Sequence, residues 1–427
     1  MRNSHRWLLL LGWSGIAPAA QGQILTSVFP EGVPGYGTAP AVTVLSRARP
    51  AFDPLGVRAG LAMVRPRLDL SFGFDDNIFA GAARRGGWRE TVSPSVLVGL
   101  EGSGGAAAAF LSVDDIRYLG DPSQNRTDGA AFLGGTRDLG HDRLTLAAGF
   151  LSRHEDQTAL DALPSDRPVA FQVANARAAY EGAFGPWTLT PSVELSHRHF
   201  DDTTIRGVAV SQAARDRTTV QGGATARYAW MPGREFVALS RVLDTVYQHP
   251  ATGAASNNAV STQVMVGVDY DDNSVWRYRV LAGVEYRVPA SSIYRPQTAG
   301  IAEMEVIWQP SGLTTVRATG VRGIEDAAQT GLSTYTYSSL RLAVDHELLR
   351  NVILSASATA RTAEFEQTGG HQTGYALGVG ATWLVNRDVR LSLTYDYSEV
   401  RNTHLASGIV AGNYARNLVL MTLRLAL

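Results

Sequence analysis

From Val64 onward, apolar and polar residues alternate in long runs. Leu68, Leu70, Phe72 and Phe74 are interleaved with Arg67, Asp69, Ser71 and Gly73. A strand turns successive side chains to opposite faces, so this segment has one apolar and one polar face. The pattern recurs in Trp276-Tyr278-Val280-Ala282-Val284-Tyr286-Val288, with Arg277, Arg279, Glu285 and Arg287 in between. It recurs in Trp187-Leu189-Pro191-Val193-Leu195, Val260-Val264-Val266-Val268-Tyr270 and Val389-Leu391-Leu393-Tyr395-Tyr397. The alternation predicts strands over 64–74, 88–100, 106–117, 129–138, 142–153, 170–182, 186–199, 216–230 and 234–247. It predicts further strands over 259–271, 275–288, 299–309, 312–325, 333–346, 350–363, 373–385, 388–401 and 413–427. Segments 106–117 and 234–247 alternate poorly, which leaves the count open by two. Most of these segments exceed the ~5–6 residues of soluble strands and reach the ~9–11 that cross a membrane at a tilt.

The connections alternate between short and long. Gly102-Ser103-Gly104-Gly105, Gly140-His141, Gly185-Pro186, Pro232-Gly233, Asp271-Asp272-Asn273, Pro310-Ser311-Gly312 and Asn386-Arg387-Asp388 are hairpin-turn residues. Longer polar loops fall between them, at 75–87, 118–128, 154–169, 200–215, 248–258, 289–298, 326–332, 364–372 and 402–412. Strict short–long alternation predicts an all-β fold, a transmembrane up-and-down antiparallel β-barrel of about 16–18 strands over residues 64–427. Both termini fall on the short-turn side, the periplasm. Trp187, Trp230, Trp276, Trp308 and Trp383 each lie beside a short turn on the apolar face, as a periplasmic aromatic girdle requires.

The last strand carries Val419, Met421, Leu423, Leu425 and Leu427 on one face, with Thr422 and Arg424 on the other. That is what closure against the first strand needs, since an open edge in lipid leaves backbone groups unpaired. It also resembles the C-terminal assembly signal read by barrel-assembly machinery, which usually ends in Phe or Trp; Leu427 departs from that.

The N-terminus differs from the rest of the chain. Arg2, His5 and Arg6 precede an apolar stretch from Trp7 to Ile16, and Ala17-Pro18-Ala19-Ala20 supplies small residues for cleavage. Residues 1–22 therefore read as a signal peptide, with the mature chain starting near Gln21 or Gln23. Residues 23–63 are rich in Pro and Gly and read as an irregular periplasmic lead-in; a plug of this length would be small. Net charge is −1, so nothing points to nucleic acid, and with no cysteine there is no thiol to oxidise during export. Beyond the signal peptide no apolar run is long enough to span a bilayer as a helix, so membrane crossing must rest on strands.

The polar faces supply the candidate chemistry. They carry Arg65, Arg67, Arg143, Arg227, Arg277, Arg279, Arg287, Arg317, Arg341, Arg361, Arg390 and Arg424, with Glu303 and Glu305 among the acids. Lipid accepts an arginine only at about 2–4 kcal/mol near mid-membrane, so these side chains are expected to face the lumen. Two readings stand equal. One is a self-neutralising network, for example Arg279 with Glu303 or Glu305. The other is a channel leaning toward anions. Asp75-Asp76-Asn77 offers hard ligands for a cation, but a strand-ending turn explains it better. His197 and His199 share a face at a strand end with no third ligand in view. No nucleophile–base spacing suggests catalysis, and neither cofactor nor metal is expected.

Arg49-Pro50-Ala51-Phe52-Asp53-Pro54-Leu55-Gly56-Val57-Arg58 is followed by Phe74-Asp75-Asp76-Asn77-Ile78-Phe79. Together these resemble the opening of the putative β-barrel porin 2 family, with Asp53, Pro54, Gly56, Arg58, Asp75, Asp76 and Asn77 at the motif positions. The resemblance implies an outer-membrane barrel of an alphaproteobacterium, in a family whose members often sit beside exopolysaccharide genes. Its expected surroundings are outer-membrane lipid and lipopolysaccharide. Its cargo would be a polysaccharide or small solutes. Alternatively, the barrel is a non-conducting docking part of a polysaccharide-secretion machine. A large loop aimed into the pore would favour a selective porin, and a wide empty lumen would favour polymer passage.

Overall fold

The computed structural model describes residues 32–36, 42–250, 255–271, 275–328, 333–365, 368–404 and 412–427. The expected signal peptide lies outside them, as does Asp272-Asn273 of one short turn. A short strand β1 (Val57–Ala59) leads into β2 (Ala62–Asp75). Then follow β3 (Gly87–Gly102), β4 (Gly105–Leu119), β5 (Arg126–Leu139), β6 (Asp142–His154), β7 (Ala170–Phe184) and β8 (Trp187–Phe200). A small hairpin, β9 (Thr203–Ile205) and β10 (Val208–Val210), sits in the next loop. The wall continues with β11 (Arg217–Met231), β12 (Arg234–Tyr247), β13 (Ala259–Tyr270), β14 (Trp276–Pro289), β15 (Gln297–Ser311) and β16 (Thr314–Asp326). It ends with β17 (Thr334–Leu349), β18 (Val352–Phe365), β19 (Gly370–Leu384), β20 (Val389–Thr403) and β21 (Tyr414–Ala426).

Each wall strand pairs antiparallel with its neighbours in sequence, skipping only the β9–β10 hairpin, and β2 pairs with β21 to close an 18-stranded barrel. The closing register runs from Arg67↔Ala426 to Asp75↔Leu418. All of the predicted strands are present, including the two that alternate poorly. Their inner faces explain the weak pattern. In β12, Val237 and Leu239 pack with Met265, Leu281 and Ile301 on the inside of the wall. In β4, Ala108 and Phe110 pack against an inserted N-terminal segment. A strand with apolar residues on both faces loses its period-two signal.

The outer surface is a continuous apolar belt, exposed at Phe72, Val193, Val266, Val284, Leu377 and Leu393 among others. Such a surface is stable only in lipid, and this is an outer-membrane barrel. Trp187, Trp230, Trp276, Trp308 and Trp383 are 36–51% exposed at the short-turn end of this belt, and Trp276 stacks on Trp308 at 5.3 Å. Trp88 stands at the opposite end, 5.1 Å from Phe72 and 5.3 Å from Phe74. There the outward residues turn polar: Arg117 binds Asp115 at 2.6 Å and Arg401 binds Glu399 at 2.6 Å. His197 and His199 lie on the same outward rim, bonded to Thr218 at 3.0 Å and Asp216 at 2.8 Å.

Candidate functional site: the lumen and what narrows it

The inward charges are tied together by ion pairs. Arg424 donates through Nε and Nη2 to Asp69, at 2.7 and 2.8 Å, and Arg67 reaches the same carboxylate at 3.2 Å. Arg143 pairs with Asp138 at 2.8 Å, Arg227 with Glu235 at 3.9 Å and Arg277 with Asp271 at 2.9 Å. Arg287 donates to Asp326 at 2.7 Å, and Arg390 lies 3.4 Å from Asp53. The expected pairing of Arg279 needs correction. Arg279 stands opposite Glu305 in the ladder, yet Glu305 pairs with Arg317 at 3.8 Å and Glu303 with Arg241 at 3.2 Å. Long guanidinium arms on the curved wall reach acids that ladder neighbours do not. Among the described residues, no carboxylate lies within ion-pair distance of Arg65, Arg279, Arg341 or Arg361.

Several charged residues here escaped the sequence reading. Arg177 holds Glu194 at 3.2 Å, Arg217 holds Asp326 at 3.2 Å, and Arg416 holds Asp75. Arg416 has the same strand parity as Arg424, a signal that was there to be read. Arg241 was hidden by the poor alternation of β12. The role of Asp326 depends on where a strand end bends, which no local pattern encodes.

Among the described residues, three segments enter the lumen. The first is residues 155–163, between β6 and β7, which cross to the far wall. There the Asp161 N–H donates to Gln372 Oε1 at 2.7 Å, the Tyr414 hydroxyl donates to the Thr158 carbonyl at 2.8 Å, and Leu160 packs with Tyr335, Tyr337 and Phe365. The second is the end of β16 and residues 327–328 beyond it, where the Ala328 N–H bonds the Asp161 carboxylate. The third is the N-terminal segment. Val33 and Tyr36 are each 2% exposed and pack on Phe132, Ala147, Leu151 and Val173 of the inner wall. The Tyr36 hydroxyl donates to Asn175 Oδ1 at 3.1 Å, and Arg177 donates to the Gly35 carbonyl at 2.9 Å. Burial pushes the Tyr36 hydroxyl up to about 12, although Arg177 pulls the other way. Gly134 makes room for this contact, because a Cβ there would stand 1.9 Å from the Pro34 carbonyl oxygen.

Residues 42–53 cling to the other side of the barrel, near the short turns. Val44 packs on Ile353 and Leu384, and its N–H donates to Thr315 Oγ1 at 3.0 Å. Arg47 and Arg49 both reach the Glu347 carboxylate, Arg49 at 2.8 Å. Residues 32–36 and 42–53 thus touch opposite walls, as a strap does. The lumen that remains includes a cavity of about 550 Å³ bounded by Arg198, Arg217, Gln263, Glu285, Arg287 and Glu325.

The motif residues divide between the strap and the barrel seam. Asp53 accepts from the Arg49 N–H and faces Arg390; Gly56 holds φ +72°, and Arg58 lies in β1, beyond Pro54. Asp75, wholly buried, accepts from Arg416 Nε at 2.9 Å, the Tyr118 hydroxyl at 3.1 Å and the Asn77 N–H at 3.0 Å. Asp76 accepts from the Asn417 N–H at 2.6 Å, and Asn77 Nδ2 donates to the Ala415 carbonyl at 3.1 Å. Asp-Asp-Asn therefore ends β2 and fastens it to β21. Among the described residues no group of three His, Asp or Glu is arranged to hold a metal ion.

Comparison with known proteins gives one family match: the model described as putative beta-barrel porin 2 covers residues 49–427. No curated protein matches the chain. Similar solved structures include the FrpB iron transporter from Neisseria meningitidis, at 11% identity and TM-score 0.46. That match covers 84% of this chain and 66% of FrpB, so the chain spans just under two thirds of that relative. OccK2 (OpdF) from Pseudomonas aeruginosa is similar at 12% identity and TM-score 0.44, over 85% of this chain and 98% of that one. A BenF-like porin from Pseudomonas fluorescens Pf-5 is similar at 11% identity and TM-score 0.45, over 85% and 99%.

Proposed function

The chain belongs to the putative beta-barrel porin 2 family, and from that premise we propose that it is a narrow diffusion channel for small solutes, with the short turns and strap at the periplasmic mouth. The observation that carries this reading is the crossing of the lumen by residues 155–163, which reach Gln372 and Tyr414 on the far wall. A loop aimed into the pore selects by size and leaves a polymer no straight path. That favours small solutes over exported polysaccharide.

Selectivity by charge is expected to be slight. Most inward arginines are neutralised by carboxylates, so the network stiffens the wall more than it biases the field. Arg65, Arg89, Arg198, Arg279, Arg341 and Arg361, with no carboxylate within ion-pair distance among the described residues, leave a small anion preference. Purified protein in planar bilayers tests this: small steps and a reversal potential displaced slightly to the anion side of a salt gradient are expected. Large steps with marked cation preference would refute it. The two-ended narrowing also favours a second reading, a closed docking barrel, which complete absence of conductance from folded protein would support.

A further inference from the structure

The lumen charges do not all cancel, and the remainder is localised. The 550 Å³ cavity is walled by strands from β7 to β16, toward their long-loop ends. Six arginines and five carboxylates line it, so one positive charge is left over. Five of those arginines, Arg177, Arg217, Arg241, Arg287 and Arg322, have a carboxylate within ion-pair distance. Arg198 has none among the described residues, and Glu325 and Asp326 act on it only from farther away. The surplus therefore sits at Arg198.

The pairing of the strands explains why. Arg198 and Arg217 stand directly opposite in the β8–β11 ladder, both on the cavity side, near the outer end of each strand. Like charges so placed repel. Arg217 is drawn to Asp326 at 3.2 Å, which Arg287 binds at 2.7 Å, so one carboxylate serves two guanidiniums while Arg198 goes without. Arg287, only 6% exposed, also keeps its Nε without an acceptor among the described residues. Beyond the arginines the cavity turns apolar. Leu243 and Val321 are half-buried in its wall, and Met265 and Ile301 flank Gly283 between them. Among the described residues, neither the 155–163 loop nor the strap lines this cavity.

We infer that this cavity binds an organic carboxylate with an apolar body, its acid group held by Arg198 and its body laid on Leu243, Val321, Met265 and Ile301. A carboxylate accepts two parallel N–H bonds from a guanidinium fork, which an alcohol cannot do. One such group cancels the one surplus charge, whereas a polyanion would exceed it and face the five acids of the wall. An inorganic ion would leave the apolar wall against water, and a sugar would press hydroxyls on Leu243 and Val321, which offer no hydrogen bond. The volume falls within the range of small-molecule sites, about 300–1,000 Å³. A solute entering from the long-loop side meets this cavity before it reaches residues 42–53 near the short turns. The inference rests on the channel reading in naming what passes; the binding itself is measured apart from conductance.

Isothermal titration of detergent-solubilised barrel with cyclohexanecarboxylate tests this, with cyclohexanemethanol and inorganic phosphate presenting the body and the charge alone. Saturable binding of the acid is expected, at least about tenfold tighter than either of the others, the worth of a hydrogen bond to a charged group. Arg198→Gln should remove the preference for acid over alcohol, and Arg198→Lys should restore part of it, keeping the charge without the fork. Leu243→Asn should erase the preference for cyclohexanecarboxylate over acetate. Each variant is checked for folding by resistance to SDS, and the comparison of probes on the unaltered barrel stands whatever the variants do. Three results would each overturn the assignment: no saturable binding by folded barrel, phosphate or alcohol bound as tightly as the acid, or a folded Arg198→Gln barrel that binds the acid unchanged. Calorimetry needs no current, so the assignment can fail in a barrel that conducts and hold in one that does not.

Discussion

Closing an 18-stranded barrel depends on one seam, and the seam carries a testable load at Asp75. Its carboxylate is fully buried, and Arg416 beside it keeps 9% of its side chain exposed. Asp75→Ala removes the partner of Arg416 Nε and Nη2 and leaves that guanidinium the Tyr118 hydroxyl at 3.4 Å, with Asp156 as the nearby acid. Breaking a buried pair from one side costs about 3–5 kcal/mol, because a charge is left without compensation. That lowers the folded population by about 10²–10⁴-fold relative to unfolded chain. The assay is urea unfolding of detergent-solubilised barrel, followed by tryptophan fluorescence and by resistance to SDS. Replacing both partners, as Asp75→Leu with Arg416→Met, should recover much of the loss, since removing a buried pair together is often nearly neutral. Unchanged stability in Asp75→Ala would refute the seam argument. A double variant no better than the single would show that the loss lies elsewhere, in the Asn77 N–H or Tyr118 contacts.

Further outcomes are expected. Gly134→Leu should expel the strap, because a side chain cannot share space with the Pro34 carbonyl; single-channel steps should grow while SDS resistance holds. Tyr36→Ala should loosen the same contact by about 3 kcal/mol, seen as faster amide exchange at residues 33–36. The loop hairpin β9–β10 should respond to acid. The Gly207 N–H holds the Asp166 carboxyl below the usual carboxylate range, and the Ser211 hydroxyl and Gln212 N–H do the same for Asp202. A carboxyl depressed by folding stabilises the loop at neutral pH and stops doing so as pH falls through its lowered value, below about 4. Protease cutting within 203–211 should therefore rise only in that acidic range, and Asp166→Asn should cut readily at pH 7.

The barrel was written in the sequence because lipid leaves a chain so little choice. Each strand must show hydrocarbon outward and satisfy every backbone group sideways, so alternation, strand length and short–long connections report strand number and lipid face directly. The belt residues Leu70, Val266 and Leu393 and the tryptophans beside short turns were legible for that reason. The lumen obeys no such rule. Whether Arg279 or Arg241 meets Glu303 depends on the reach of side chains around a curved wall, not on neighbours in the chain. The inner packing of Val33 on Phe132, the crossing of 155–163 to Gln372 and the bend that brings Asp326 to Arg217 join residues about 100 or more positions apart. Those contacts exist only once the barrel has closed and set opposite walls within reach of one another. Strand periodicity therefore settled the wall, and three-dimensional enclosure alone decided what fills it.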